Sequence, residues 1–157
     1  MPDANPSKVQ PIDVPAGSLL AAFGKAEDYR DCFARTVEGA VSLDAFIERF
    51  YCSMAFQPER LALSLIGRGA SNDDARAVAS GKAETFAAWD VMERRENEIL
   101  LRDFQGATAS WLSVQISADP ASTRLMFGSW VGGPESRAVK ALMGFHVLYS
   151  KVLLRGV

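Results

Sequence analysis

The sequence predicts an α+β domain made of one strand, two or three short helices, an antiparallel meander and a long terminal helix. Three stretches of hydrophobic periodicity carry that expectation. Apolar residues recur at helical spacing between 43 and 54, alternate between 84 and 131, and return to helical spacing after Pro134. At 157 residues and 48% apolar content, the chain suffices for the core of a single domain.

The elements follow in order. Prolines at 2, 6, 11 and 15 interrupt regular hydrogen bonding, so residues 1–24 are expected to be an extended arm ahead of a domain spanning 25–157. "EDYRDCFARTV", residues 27 to 37, sets Tyr29, Asp31, Phe33, Arg35 and Val37 against a smaller set, as a strand does. Ser42 can cap a helix in which Leu43, Phe46, Ile47, Phe50, Tyr51 and Met54 share one face. Pro58 and Gly67 bracket a second short helix, and Ser71 with Asp74 in the capping-box position opens a third. Four strands are then expected, joined by "RREN", "FQGA" and "SADPAS", which gives about five strands in all. Pro134 opens the terminal helix, where Leu142, Phe145, Leu148, Tyr149 and Val152 form a stripe with His146 on its flank.

Composition excludes several classes. A net charge of -2 provides no basic stripe for a phosphate backbone, so nucleic acid is not expected as a partner. Two cysteines without metal or redox spacing and a single histidine leave no basis for a zinc site, and no cofactor is implied. Reduced thiols, no basic leader segment and no run of about 20 apolar residues point to a cytoplasmic protein outside the membrane.

Symmetric turns set a trial register that pairs 90 with 101, 101 with 110 and 110 with 129. One face then carries an aliphatic and aromatic set including Met92, Ile99, Leu112, Val114, Ile116, Leu125 and Phe127, which should lie beneath the terminal helix. Across it runs the row Asp90, Leu101, Ser110, Ser129. Its polar groups either approach water, bond a neighbour such as the Tyr149 hydroxyl, or receive a ligand. The opposite face collects Trp89, Trp111 and Trp130, with Trp89 opposite Arg102 and Trp111 opposite Gly128, where the missing side chain leaves room for the indole. That face reads as a subunit interface, a stacking platform or a cross-strand aromatic cluster. Its apolar area, with Val139, Met143, Val147 and Leu154 on the last helix, is the reason for expecting a homodimer.

No Ser, His and Asp constellation is recognisable, and "GRGASN" is too poor in glycine to be a phosphate loop. Asp31, Asp90, Glu93 and Asp103 are candidate bases if desolvated. His146 reads as a structural flank residue, a ligand contact or a proton carrier.

This layout, with "GATASWLSVQI", "STRLMFGSWVG" and "ALMGFHVLYSKVLL", resembles the START and polyketide-cyclase-like (SRPBCC, helix-grip) superfamily over about residues 27 to 157, in particular a bacterial branch described as a domain of unknown function. The resemblance implies a curved antiparallel sheet wrapped on the long C-terminal helix, the first strand beside the last, and a cavity for an apolar molecule such as a lipid or polyketide. With about five strands, the chain departs from the usual six or seven. The expected function is binding of a small, mostly apolar ligand between sheet and C-terminal helix, contacted by Asp90, Ser110, Ser129, Phe145, His146 and Tyr149. The alternatives are a cyclase- or hydratase-like enzyme with Asp90 as base and Tyr149 or His146 as acid, and a homodimeric interaction module without ligand. No catalytic residue is carried over.

Overall fold

The computed structural model describes residues 8–52, 80–81, 85–86, 89–103, 108–118 and 121–132. These form strands β1 (Gln10–Pro11), β2 (Tyr29–Glu38), β3 (Thr85–Phe86), β4 (Trp89–Arg94), β5 (Glu98–Asp103), β6 (Thr108–Ala118) and β7 (Ala121–Val131), with helices α1 (Leu19–Ala22) and α2 (Leu43–Cys52). The strands make one sheet in the order β1-β2-β7-β6-β5-β4-β3, every neighbouring pair antiparallel.

This corrects the helix-grip α+β expectation. Among the described residues the helices are 4 and 10 residues long, no long helix is present, and the architecture is closer to all-β. Two strands were missed: the arm contributes β1, and the segment from 85 divides into β3 and β4. The helices expected from Pro58 and Ser71, and the terminal helix expected from Pro134, lie outside the described residues.

The helix expected after Ser42 forms as α2, and the Ser42 Oγ accepts from the Ala45 amide at 3.2 Å. Phe46, Ile47 and Phe50 are buried, and the Phe50 ring stacks on Phe127 at 4.8 Å. The sheet face under α2 carries Ile99, Leu112, Val114, Leu125 and Phe127, all buried as their common parity requires. Met92 and Ile116, assigned to the same face, are 47% and 51% exposed.

The connection from β2 to α2 is pinned to β7 by one side chain. Thr123, fully buried, accepts from the Val41 amide at 2.8 Å and donates to the Gly39 carbonyl at 2.7 Å. Thr123→Val keeps the shape and strands both backbone groups, so it should lower stability in urea unfolding by about 2 kcal/mol. A loss below about 0.5 kcal/mol would show that the connection is held elsewhere.

The other face is covered by the chain itself. Leu19 and Leu20 of α1 are buried against Cys32, Ala34, Leu100, Trp111, Met126 and Trp130, with Ile12, Val14 and Phe23 packed at the margin. Residues 9–23, read in sequence as part of an arm, thus form the second layer on this side.

Candidate functional site

Pairing registers align one polar row across the α2 face. Asp31 of β2 lies opposite Ser129 of β7, Ser129 opposite Ser110 of β6, Ser110 opposite Leu101 of β5, and Leu101 opposite Val91 of β4. Directly opposed side chains in antiparallel strands stand about 4.5–5.5 Å apart, so Asp31, Ser129 and Ser110 form a contiguous polar strip within an apolar face. Ser129 is fully buried and Ser110 is 7% exposed. Among the described residues the Ser129 Oγ has no hydrogen-bond partner, although a buried hydroxyl left in that state costs about 1–3 kcal/mol.

Beside the strip, the half-buried Tyr29 hydroxyl donates to Asp31 Oδ2 at 3.0 Å. The two are separated by one residue on β2 and so share a face. Burial, then the Asp31 charge, pushes the Tyr29 hydroxyl up to about 12. It therefore stays protonated at neutral pH and acts as a fixed donor. A group held that far from neutrality is a poor proton shuttle.

The sequence-predicted site is only partly assembled. Ser110 and Ser129 face each other as expected, and 101 pairs with 110. Asp90 does not join them: it is exposed and lies opposite Arg102, while Val91 takes the place beside Leu101. The cause is the β4–β5 hairpin. Its turn is tighter than a symmetric "RREN" loop, closed by the Arg95 amide on the Glu98 carbonyl at 2.8 Å, and a bulge between Val91 and Glu93 then shifts the register back by one residue. The net displacement of one residue reverses parity. It also sets Trp89 opposite Asp103, which removes the expected pairing with Arg102. Phe145, His146 and Tyr149 lie outside the described residues.

Asp31 and Tyr29 are the members that sequence reasoning left off the row. Their signal was present in "YRDCF", where Tyr29 and Asp31 share the parity of Phe33. Reading it required the register between β2 and β7, which sets Asp31 opposite Ser129.

On the opposite face Trp111 and Trp130 are 1% and 7% exposed, Trp111 lies opposite Gly128 as expected, and the face is sealed by Leu19 and Leu20. A cleft of about 310 Å³ opens where residues 15–18 meet 95–98, with Trp111, Ser113 and Met126 on its wall. The polar groups at its mouth are paired internally: Glu98 takes the Trp111 indole at 2.6 Å and the Leu19 amide at 2.9 Å, and Ser113 donates to the Asn97 carbonyl at 3.0 Å. Among the described residues no group of three His, Cys, Asp or Glu is placed to hold a metal, and no helix is long and apolar enough to cross a membrane.

No protein-family model matches the chain, and neither the curated proteins nor the solved structures include a significant match. Nothing in these comparisons connects the chain with the START and polyketide-cyclase-like superfamily.

Proposed function

We propose that the protein binds a small, mostly apolar molecule on the α2 face of the sheet, with one polar group of the ligand received by the Asp31, Ser129 and Ser110 strip. The observation that carries this reading is the fully buried Ser129 hydroxyl at the centre of the strip, which has no partner among the described residues. Aliphatic and aromatic neighbours supply the apolar surroundings, and Tyr29 and Asp31 supply orientation, in the proportion typical of small-molecule sites. Closure of the tryptophan face by residues 12–23 weighs against an interaction module built on that face. The cytoplasm, where a free thiol such as Cys32 stays reduced, is the compartment that suits the protein.

The test pairs native mass spectrometry of protein purified from its own host with a Ser129→Ala variant. Wild type is expected to carry a non-covalent small-molecule adduct. The variant should retain it at least about tenfold less while its melting temperature stays the same or rises, because removing an unpartnered buried hydroxyl relieves a desolvation cost. Equal retention in the variant, or a melting temperature several degrees lower, would assign the hydroxyl to packing and overturn the reading.

A further inference from the structure

We propose that residues 9–23 act as a strap that opens as a unit from the tryptophan face while the sheet beneath it stays folded. The strap is joined to the sheet differently from the way the strands are joined to one another. β6 and β7 pair from Thr108↔Val131 to Ala118↔Ala121, and β2 and β7 from Tyr29↔Val131 to Glu38↔Ser122. Among the described residues, the strap's backbone pairs with the sheet backbone through the two-residue β1 and one further bond from the Ile12 amide to the Cys32 carbonyl at 2.9 Å, and it carries the four-residue α1. A helix of that length has no independent stability, so it persists only while docked.

Docking rests on Glu98, which joins a tryptophan to a strap amide, and on the turn just after the strap, where Asp28 joins a tryptophan to the Lys25 amide and Arg30 holds the strap carbonyls. At one end Glu98 receives the Trp111 indole at 2.6 Å and the Leu19 amide at 2.9 Å, and Arg95 bridges Glu98 to the Gly17 carbonyl, at 3.1 Å to each. At the other end Asp28 receives the Trp130 indole at 3.0 Å and the Lys25 amide at 2.7 Å. Arg30 of β2 completes this end by donating to the carbonyls of Leu20, Phe23, Lys25 and Asp28. Between the two clasps Leu19 and Leu20 plug the face, and Phe23 meets Trp130 edge-on at 4.8 Å.

Both clasps reach water at one side. Asp28 is half-buried and its bond to the Lys25 amide is exposed, while the cleft of about 310 Å³ runs along the seam to Glu98, whose side chain is 12% exposed. Ties that water can replace, over a short segment with few ladder bonds, are the mark of a unit that opens below the free energy of global unfolding. Gly24, at φ +72, marks the point where the chain turns from the strap back into β2. A side chain there would strike the Trp130 indole nitrogen at 2.3 Å and Asp28 at 2.6 Å.

Opening uncovers Cys32, which is 2% exposed beside the Leu20 plug, and its thiol provides the readout. Burial, then the Asp31 charge, pushes that thiol up to about 12, so it reacts with disulfide reagents only when uncovered. In a full-length Cys52→Ser background, Cys32 labelling should proceed at least about tenfold faster than global unfolding. Adding Glu98→Gln and Asp28→Asn together should accelerate it about tenfold more, with the far-ultraviolet circular dichroism unchanged. Labelling at the global unfolding rate in both proteins would overturn the proposal. If the combined variant does not fold, native-state hydrogen exchange of the wild type decides: amides of Leu19–Phe23 released at lower denaturant than those of Trp111–Val114 support the strap, and release together overturns it.

Discussion

Trp111→Ala is expected to lower the unfolding free energy by about 3–5 kcal/mol, the range for truncating a large buried aromatic. Trp111 is 1% exposed and joins the sheet to the segment that covers it. Its ring fills the space left opposite Gly128, its edge meets the core formed with Leu19 and Leu20, and its indole nitrogen donates to Glu98 at 2.6 Å. Truncation empties the site and leaves Glu98 with the Leu19 amide and Arg95. Trp111→Phe separates the two contributions. It retains a six-membered ring and removes the pyrrole edge with its donor, so a smaller loss of about 1–2 kcal/mol is expected from urea unfolding of the same protein. Equal losses in the two variants would mean that the hydrogen bond, and not the ring, dominates.

The second large effect is expected at Gly128. An added Cβ would come within 2.4 Å of Leu20 Cδ2, 2.9 Å of the Asp31 carbonyl oxygen and 3.2 Å of Trp111 Cε3. The leucine can turn aside, but the carbonyl belongs to β2 and recedes only if β2 and β7 separate. Gly128→Ala should therefore cost about 2–3 kcal/mol, at the upper end for overpacking. In a double-mutant cycle with Leu20→Ala, the combined loss should fall short of the sum by about 1 kcal/mol or more, since the smaller residue relieves one of the three contacts. Strict additivity would show that the Asp31 backbone alone sets the cost.

Much of the sheet was legible because its period is unambiguous. The pairings of Leu101 with Ser110, Ser110 with Ser129 and Trp111 with Gly128 follow from alternation together with symmetric turns, and the burial of Leu112, Val114 and Phe127 follows from the shared parity. The short helix after Ser42 was equally plain, since its cap and its stripe agree. What failed depended on information that alternation does not contain. Prolines 11 and 15 argued against regular structure, yet Pro11 sits in a two-residue strand and the chain around it is recruited by the apolar side chains of Ile12, Val14, Leu19 and Leu20. The tryptophan face looked like surface awaiting a second subunit because nothing in β5, β6 or β7 reveals that a segment about 90 residues earlier in sequence covers it. Asp31 was one of four equivalent carboxylates until the pairing of β2 with β7 placed it beside Ser129.

The bulge in β4 acts as a phase correction in the code of the sheet. With an unbroken ladder continuing from Glu93 opposite Leu100, Met92 would meet Leu101, Val91 would meet Arg102, and Asp90 would meet Asp103, setting like charges against each other. Skipping one residue restores agreement at every position that follows: Val91 returns to Leu101 and Asp90 to Arg102. Met92 is therefore a spacer whose identity matters less than its presence. Substitutions there should be widely tolerated, whereas a one-residue insertion beside it would put the outer end of the strand out of phase with its partner.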